Sequence, residues 1–580
     1  MTEEEKQRFR DLKTDTALDL YAIGQTARKK YDYVFATDER IEKYVYGCID
    51  HPDDHNLYEL LGIKRFFHLL DKYDWREKRI KKFFRFYETL RFSGTTRRQR
   101  YKLTPIQAFQ FACIYGLTRK DGRRLVRDAY LFVPRKFSKT TAAAAMAVYD
   151  MLFGDNNAQA YIGANSYDQA KICFDEVRAI MLDIDPREKH FKVNREKITF
   201  KDRGRDSLIQ CLTANAKTKD GLFASLVIMD EYSQARDTAN KGGADLKNTL
   251  TTSMGPRKNP LIVVITTASD VVDGPFAHEL SGVLKVLRGE LENDTIFASI
   301  FMPDVDDEED DPHTWKKVQP HLGVTVQPDY YKTEYARAQL SAENMLNFRT
   351  KLLNIFTINE EKTWFSYEKA KDLCKGFNID TVQGHPDCAV SFDLSVHDDF
   401  SAVSYTLYSS QSKSFYAYTD YYFPEGALKG HPNAELYKIW HEKGYLKFCK
   451  GEKIDVKLIA EDIIKRSKVV NIIRIAYDAY KSQELTSILA SVGAKNQLLP
   501  YSQTYGSFNL PVESFEMLAY NDPPKITLND NPINVFCLTN AVIDEDKMEN
   551  KKPIKISQFR KIDGVITVLM CLGELYAYER

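Results

Sequence analysis

Lys139 and Thr140 are the first residues in this 580-residue chain whose types and spacing suit phosphate chemistry. They follow an apolar segment that begins at Tyr130 and a short loop, and an alanine-rich helical pattern comes next. A phosphate-binding loop needs this order, because N–H groups at a helix N-terminus, one lysine and one hydroxyl bind the anion. Val133 and Ser138 replace the two glycines of the Walker A pattern, so this segment alone is also compatible with an ordinary basic turn.

Asp230 and Glu231 end an apolar run, Ser225–Met229, that is typical of a buried strand. At the edge of a sheet, Asp230 would hold the hydration shell of Mg²⁺ and Glu231 would polarise an attacking water. Strands often end in acidic residues without any function. The position about 90 residues after the Lys-Thr loop makes this pair a Walker B candidate.

A third apolar run, Leu261–Thr266, ends in hydroxyl groups rather than charges. Thr266 and Thr267 at its end suit a sensor of the γ-phosphate that couples hydrolysis to movement. Threonine is also common in strands because of its β-propensity. The run therefore predicts a strand, and a coupling role for its two threonines is a hypothesis.

A second group consists of three carboxylates that are far apart in the sequence. Asp393 and Asp478 each end an apolar strand pattern, and Asp563 begins the last predicted helix. This arrangement is typical of RNase H-like nucleases, in which two Mg²⁺ or Mn²⁺ ions about 4 Å apart activate water and stabilise the leaving oxygen. Asp563 is equally compatible with a simple helix cap, whereas a charge at the end of an apolar strand is costly without a partner.

The surrounding patterns predict an α/β fold with two main domains. Short apolar runs alternate with helical patterns after Leu103, which predicts a parallel sheet covered on both faces and a P-loop ATPase domain. A second series of strands after His385 closes on a helix and suits an α+β or RNase H-like sheet. Together with the three carboxylates, it predicts an RNase H-like α/β nuclease domain. The predicted regions are a helical N-terminal region at 1–100, the ATPase domain at 101–300, an inter-domain linker or lid at 301–380, and the nuclease domain at 381–580.

The predicted elements have definite bounds. Helices are expected at Ala17–Tyr31, Lys64–Leu90, Thr141–Phe153, Ser166–Leu182 and Asp563–Tyr578. Strands are expected at Ala129–Val133, Ala158–Ile162, Ser225–Met229, Leu261–Thr266, Ala389–Asp393, Ala402–Leu407, Phe415–Tyr422 and Ile472–Tyr477.

Composition excludes several classes of protein. Hydrophobic residues make up 43% of the chain and charged residues 28%, which is typical of a globular protein rather than a disordered one. The longest apolar runs are too short to span a bilayer and the charged N-terminus is unlike a signal peptide, so a cytoplasmic protein is expected. The nine dispersed cysteines form no Cys-x-x-Cys pair and are interpreted as buried free thiols.

Charge is segregated although the formal net charge is zero. Between Arg76 and Lys102, eleven basic residues stand against two glutamates, with aromatic residues between them, and this basic segment could contact DNA. Between Asp304 and Asp311, seven of eight residues are acidic. Such blocks are more often solvated faces or linkers than binding sites.

Taken together, these segments resemble the large subunit of tailed-bacteriophage terminases. The resemblance covers roughly residues 100–580, and Ser138 stands where that family has glycine. It is carried by nine motifs: Thr104–Gln107, Arg135–Thr140, Asp220–Glu231, Val264–Ala268, Asp311–Gly323, Phe348–Asn354, Phe392–Ala402, Ala476–Tyr480 and Lys561–Gly573.

The resemblance implies an ATP-driven motor that moves double-stranded DNA into a procapsid and a metal-dependent endonuclease that cuts concatemeric DNA. It implies an adenine contact for Gln107, a phosphate contact for Arg135, and an auxiliary metal-binding role for Asp399. It also implies ATP with Mg²⁺, two Mg²⁺ or Mn²⁺ in the nuclease site, and as partners a small terminase subunit, a portal protein and a homo-oligomeric ring. No membrane is involved, and the expected location is the cytoplasm of the infected or lysogenic bacterial host.

Two other functions remain possible from the sequence alone. One is a helicase-like ATPase fused to a resolvase-type nuclease, which the motifs after residue 300 do not favour. The other is a degenerate prophage protein that binds DNA or acts as a scaffold without hydrolysis, which Ser138 in the phosphate loop favours.

Overall fold

The chain forms two compact units, Met1–Ile358 and Asn359–Arg580. The computed structural model describes residues 3–94, 97–164, 166–200, 206–213, 221–235, 243–272, 274–357, 363–395, 400–429, 431, 433–479, 482–555 and 561–578. No helix in these ranges is both long enough and apolar enough to cross a membrane.

The first unit begins with helices and continues with a mixed sheet. Its described α-helices are α1 (Glu3–Lys30), α2 (Asp32–Phe35), α3 (Glu39–Asp50), α4 (Leu57–Lys72), α5 (Glu77–Thr89), α6 (Pro105–Gly116), α7 (Lys139–Phe153), α8 (Tyr167–Ile184), α9 (Gly243–Ser253), α10 (Pro275–Leu287), α11 (Pro312–Val318), α12 (Pro328–Ala338) and α13 (Ala342–Lys351). Its described strands are β1 (Asp74–Trp75), β2 (Leu117–Thr118), β3 (Asp128–Phe132), β4 (Gln159–Ala164), β5 (Phe191–Val193), β6 (Lys197–Phe200), β7 (Leu208–Thr213), β8 (Leu226–Asp230), β9 (Leu261–Thr266) and β10 (Ile296–Ile300).

The large sheet of this unit has the strand order β10-β3-β9-β8-β4-β7-β6-β5. Neighbours from β10 to β7 are parallel, whereas β6 and β5 are antiparallel additions at one edge. Alternate residues of one strand enter different cores: Leu131 packs with α7 and α8, and Phe132 packs with α9 and α10 on the other face. Burial on both faces explains why these strands are uninterrupted apolar runs in the sequence.

The helix predicted over Lys64–Leu90 is wrong as a single element. The structure divides it into α4 and α5, separated by strand β1, which pairs antiparallel with β2. Trp75 in this strand also donates a hydrogen bond from Nε1 to Thr37 Oγ1 at 2.9 Å. The apolar spacing continues across the break because Trp75 packs against the same core as the helices, so periodicity could not show it.

The acidic run that begins at Asp304 is bound to cations of the same unit rather than simply solvated. Asp304 Oδ2 lies 2.7 Å from Lys13 Nζ, and Asp307 Oδ1 lies 2.5 Å from Lys317 Nζ. Lys317 is buried, so its ammonium group depends on these carboxylates for compensation. The run therefore attaches α1 and α11 to the end of β10.

The second unit contains a mixed sheet in the order β14-β13-β12-β11-β15-β16, with β17 paired to β13. Its described strands are β11 (Asp387–Asp393), β12 (Ser401–Ser409), β13 (Ser414–Pro424), β14 (Lys447–Cys449), β15 (Asn471–Tyr477), β16 (Leu498–Pro500), β17 (Ile526–Leu528), β18 (Ala541–Glu545) and β19 (Lys551–Lys555). Its described α-helices are α14 (Tyr367–Leu373), α15 (Ala434–Glu442), α16 (Val456–Arg466), α17 (Gln483–Ser491), α18 (Tyr505–Ala519), α19 (Pro532–Asn540) and α20 (Asp563–Tyr578).

Asn354 follows α13, and its side chain is hydrogen-bonded to the chain just after two strands of the sheet in the first unit. Its side-chain oxygen accepts from Ala268 N at 2.7 Å and its amide nitrogen donates to Phe301 O at 2.7 Å. The residue is fully buried and has a φ of 60°, a conformation that asparagine tolerates better than most residues. One side chain thus satisfies a buried donor after β9 and a buried acceptor after β10.

We predict that Asn354→Ala loosens this connection, because it leaves a buried N–H and a buried carbonyl without partners. Each such group costs about 1–3 kcal/mol. Hydrogen exchange followed by mass spectrometry should show exchange on the order of 10- to 100-fold faster in the peptide that contains Ala268. The exposed Asn194→Ala serves as the control, and equal exchange in the two variants would contradict the prediction.

Candidate functional site

The loop between β3 and α7 contains two residues in the left-handed region. Lys136 and Ser138 both have a φ of 70°, and Ser138 directly precedes the first residue of α7, Lys139. A residue with a Cβ in this region costs about 1–2 kcal/mol relative to a right-handed conformation. Glycine would adopt the same backbone without this cost, so Ser138 keeps the loop geometry of the Walker A glycine at a cost in conformational energy.

Side chains from residues after 300 bind the backbone of this loop. Gln319 Nε2 donates to Arg135 O at 2.8 Å, and Thr325 Oγ1 donates to Lys136 O at 2.5 Å. Arg135 N in turn donates to Lys351 O at 2.9 Å. These contacts hold the strained loop in place, so the region predicted as a linker or lid contributes directly to the phosphate-loop structure.

Phe137 lies in the same loop and packs against a residue after position 300. Its ring stacks on His321 with centroids 4.3 Å apart and planes 4° from parallel. Burial lowers the pKa of His321 to about 4, so the imidazole is neutral at physiological pH. His321 Nε2 lies 2.8 Å from Thr104 Oγ1, which connects the loop to the N-terminus of α6.

Lys139 and Glu231 are brought together at the carboxyl end of the sheet. Lys139 Nζ lies 2.9 Å from Glu231 Oε1, and Thr267 Oγ1 donates to Glu231 Oε2 at 3.1 Å. Burial raises the pKa of Glu231, but the opposing charge and hydrogen bond of Lys139 outweigh burial and hold it below its ordinary value. The carboxylate is therefore ionised and oriented by both partners.

Asp230 is the most buried of the predicted metal-binding residues in this unit. It ends β8, its residue exposure is 4%, and its Oδ1 has no hydrogen-bond partner among the described residues. Burial and the adjacent charge of Glu231 raise the pKa of the Asp230 carboxyl to about 7. A buried carboxylate oxygen without a donor fits a site for a hydrated cation, because the cation would offset the desolvation of the charge.

Thr266 and Thr267 lie beside these residues at the end of β9. Thr266 Oγ1 accepts a hydrogen bond from Ser233 N at 3.0 Å, just after Glu231. Both threonines are fully buried. The two hydroxyls therefore connect the end of β9 to the Asp230–Glu231 segment, which is the connection that a coupling role requires.

The remaining residues predicted to bind ATP have different surroundings. Arg135 is exposed beside the loop, and Thr140 lies partly buried in the first turn of α7. Gln107 is buried, and its Oε1 accepts from Thr104 N at 3.1 Å in a capping box at the start of α6. An adenine contact for Gln107 stays a prediction, since its carbonyl oxygen already serves the helix.

Lys351 is a residue that the sequence interpretation did not assign. It ends α13, and its Nζ donates to Ala268 O at 3.0 Å. Burial lowers the pKa of this ammonium group, while the negative charge of Glu231 opposes that shift. Lys351 lies within the motif Phe348–Asn354, which the sequence analysis had singled out. The spacing of that motif could not show that Lys351 interacts electrostatically with Glu231.

In the second unit, Asp393 and Asp478 lie at the ends of neighbouring parallel strands. Strand β11 ends at Asp393, and its register with β15 pairs Phe392 with Tyr477, so Asp478 follows immediately beside it. Adjacent strands are about 4.8 Å apart, which brings the two aspartates to one edge of the sheet. Gln503 Nε2 also lies 3.5 Å from Asp393 Oδ2.

Helix α20 is attached to β11 by buried hydroxyl and thiol groups. Ser391 Oγ donates to Thr567 O at 2.5 Å, and Cys571 Sγ donates to Ala389 O at 3.3 Å. Later residues of the helix therefore contact earlier residues of the strand. The helix runs antiparallel to β11.

This direction brings Asp563, the first residue of α20, toward the end of β11 that carries Asp393. Asp563 precedes Thr567 by about one helical turn, or about 5.4 Å. Gly564 permits the approach: a Cβ at this position would lie 1.8 Å from Tyr421 Oη. The structure thus brings all three carboxylates to one end of the second unit, whereas Asp399 lies outside the described residues.

The aromatic side chains of the basic segment from Arg76 to Lys102 are mostly buried, and its cation Arg98 is paired. Phe83, Phe84 and Tyr87 are buried in the core of the first unit. Arg98 Nε lies 2.8 Å from Asp183 Oδ2, and the same side chain also contacts Glu176. Aromatic spacing in this segment follows from helix α5 packing inward, so a contact with DNA would involve only its exposed cations.

Comparison with known families decides the identity of the chain. A family profile described as "Terminase large subunit, ATPase domain" matches residues 105–284, and one described as "Terminase large subunit, endonuclease domain" matches residues 290–579.

The chain belongs to the terminase large-subunit family.

Individual proteins are also similar to this chain. The large terminase subunit of Enterobacteria phage HK97 is 22% identical over 455 residues, which cover 77% of this terminase and 86% of that protein. Protein YmfN of Escherichia coli (strain K12) is 27% identical over 386 residues, covering 64% and 81% of the two chains. The crystal structure of the HK97 large terminase is 20% identical, covers 86% of this chain and 99% of that chain, and has a TM-score of 0.51.

These findings confirm the predicted fold class, which is a P-loop ATPase domain with a parallel sheet, an RNase H-like nuclease domain and a helical N-terminal region. This terminase therefore combines an ATPase that drives DNA packaging with an endonuclease that cuts DNA. A helicase-like ATPase fused to a resolvase-type nuclease is not supported, because both halves match terminase domains.

The left-handed backbone at Ser138 leads to a stability prediction. Ser138→Gly should raise the free energy of unfolding by about 0.5–1 kcal/mol relative to Ser138→Ala, because only the glycine variant removes the Cβ. Ser138→Ala is the matched control, since it removes the hydroxyl and keeps the strain. Urea unfolding of the full chain measures the difference, and equal midpoints would show that the backbone at this position is not strained.

Proposed function

We propose that Lys139, Thr140, Asp230 and Glu231 form the ATP-hydrolysing site of this terminase. The single observation that supports this best is the convergence of the Lys139–Glu231 ion pair with Asp230 and Thr267 at the ends of three adjacent parallel strands. Such a convergence of one ammonium group, two carboxylates and hydroxyls suits phosphoryl transfer, in which the protein mainly positions groups and stabilises charge.

Each side chain has a distinct role in this proposal. Bound Mg²⁺ and ATP would supply the electrophilic γ-phosphate and neutralise part of its charge. Thr140 and Asp230 would hold the hydrated cation, Lys139 and the exposed Arg135 would bind phosphate oxygens, and Glu231 would polarise the attacking water. Gln107 would contact the adenine side.

Lys139 and Glu231 form an ion pair that nucleotide binding would change. A phosphate oxygen bound to Lys139 Nζ would share the ammonium group with Glu231 and weaken the ion pair. Glu231 would then keep its hydrogen bond to Thr267 while its other oxygen becomes available to water. Thr266 and Thr267 would carry this change to the end of β9.

For the nuclease site, we propose that Asp393, Asp478 and Asp563 bind two Mg²⁺ or Mn²⁺ ions, with Asp399 as an auxiliary ligand. Carboxylate oxygens are the ligands that such hard cations prefer. The three residues come from two neighbouring strands and one helix N-terminus, so the rigid β11–β15 register and the α20 attachment would keep their spacing. These residues would orient a metal-bound water toward a DNA phosphate.

As its biological role, we propose that the motor moves double-stranded DNA into a procapsid and that the nuclease cuts concatemeric DNA. The partners would be a small terminase subunit and a portal protein, with a homo-oligomeric ring as the active form. The place of action would be the cytoplasm of the infected or lysogenic bacterial host. The family assignment of both domains supports this proposal.

We predict that Lys139→Ala and Glu231→Gln each abolish DNA-stimulated ATP hydrolysis. Removing one charge-stabilising group costs on the order of 3 kcal/mol in the barrier, or more than about 100-fold in rate. Lys192→Ala, an exposed lysine in β5 of the same sheet, is the control. Rates near that of the unmodified chain in either variant would remove the assignment, whereas an unmodified chain without DNA-stimulated hydrolysis would favour the non-hydrolysing scaffold alternative.

A second prediction separates the two activities. Asp393→Asn and Asp478→Asn should each eliminate Mn²⁺-dependent plasmid cleavage and leave ATP hydrolysis within about twofold, because the proposed sites lie in different units. Asp387→Asn provides a control in the same strand, at its opposite and exposed end. The assignment fails if cleavage persists in both variants or if the Asp387 variant loses it equally.

A further inference from the structure

A polar cluster in the N-terminal helices involves none of the residues assigned to the two proposed sites. Its members are Tyr44, Cys48, His55 and Glu59. One ligand atom each from Cys48, His55 and Glu59 lies within 4.8 Å of the other two. Cys48 is in the last turn of α3, and Glu59 is in the first turn of α4. The short connection between these helices carries His55.

The distances within the cluster match those expected around a tetrahedral cation. Cys48 Sγ lies 3.6 Å from His55 Nδ1, and His55 Nδ1 lies 3.0 Å from Glu59 Oε1. With ordinary Zn–S and Zn–N bond lengths, the sulfur and nitrogen ligands of a tetrahedral zinc are about 3.6 Å apart, and nitrogen and oxygen ligands about 3.3 Å apart.

The three side chains present one lone pair each to a common point. A hydrogen on His55 Nδ1 would serve Glu59 Oε1 at 3.0 Å and reach Cys48 Sγ only weakly at 3.6 Å. A divalent cation would bind the sulfur, the nitrogen and the oxygen together.

Glu59 supplies an independent indication of a ligand. Its side chain is only 3% exposed, and its Oε2 has no hydrogen-bond partner among the described residues. Its other oxygen accepts a hydrogen bond from Tyr44 Oη at 2.5 Å. Asn56 caps α4 by accepting from Glu59 N at 3.1 Å, so the first turn that carries this carboxylate is fixed.

We propose that Cys48, His55 and Glu59 bind a divalent transition-metal ion of the zinc class. The set of one sulfur, one imidazole nitrogen and one carboxylate oxygen suits Zn²⁺ rather than the Mg²⁺ or Mn²⁺ proposed for the nuclease. Binding would release the thiol proton of Cys48 to solvent. The ion would link the end of α3 to the start of α4, and the side chain of His55, which is 20% exposed, marks the route of entry.

Cobalt titration of the metal-stripped full-length chain tests the proposal. Co²⁺ should give a thiolate-to-cobalt charge-transfer absorption, which Zn²⁺ should then remove by displacement. The proposed nuclease site cannot produce this band because its ligands are all oxygen atoms. Zn²⁺ should also raise the Tm of the chain, since a ligand that binds only the folded state stabilises it.

Variants identify the ligands. Cys48→Ala should lose the absorption, and His55→Gln and Glu59→Gln should each weaken Co²⁺ binding by at least about tenfold. Cys113→Ala, another buried cysteine of the same unit, is the control and should keep the absorption. The proposal is overturned if the unmodified chain gives no charge-transfer band, or if the band persists in Cys48→Ala. If Cys48→Ala does not fold, the charge-transfer band and the Tm shift of the unmodified chain still test whether the chain binds the metal through a thiolate.

Discussion

Hydrogen bonding between parallel strands is the constraint on which both halves of this terminase depend. In the first unit, β9 lies between β3 and β8, and the register aligns Phe132 with Thr266 and Asp230 with Ile265. In the second unit, the pairing of β11 with β15 aligns Phe392 with Tyr477. The carboxyl ends of parallel strands lie at the same edge of the sheet. Residues that follow these strands therefore become neighbours even when they are far apart in the sequence.

Much of this framework could be predicted from the sequence because buried parallel strands are continuous apolar runs. The predicted strand Leu261–Thr266 agrees with the structure at both ends, and Ala129–Val133 differs from β3 by one residue at each end. Asp393 and Asp478 could be recognised because a charge at the end of such a run requires a partner. These signals are local, and each one depends only on a few consecutive residues.

The parts that could not be predicted depend on contacts over long distances in the sequence. Strand order is one example, since no local pattern shows that β9 lies between β3 and β8. The ion pairs of Arg98 are another, because its partners Glu176 and Asp183 lie about 80 residues later in the sequence. The cluster of Cys48, His55 and Glu59 could not be predicted for a different reason, because its spacing matches no familiar cysteine pattern.

The attachment of the phosphate loop to Gln319, Thr325 and Lys351 has a consequence for the order of events during synthesis. The last of these residues leaves the ribosome about 220 residues after the loop itself. At ordinary rates of translation this delay is on the order of 10 to 40 s. Throughout that interval the nascent chain carries the loop without the residues that bind its backbone. The loop between β3 and α7 can therefore make all of these contacts only after the chain has passed the end of its own sheet.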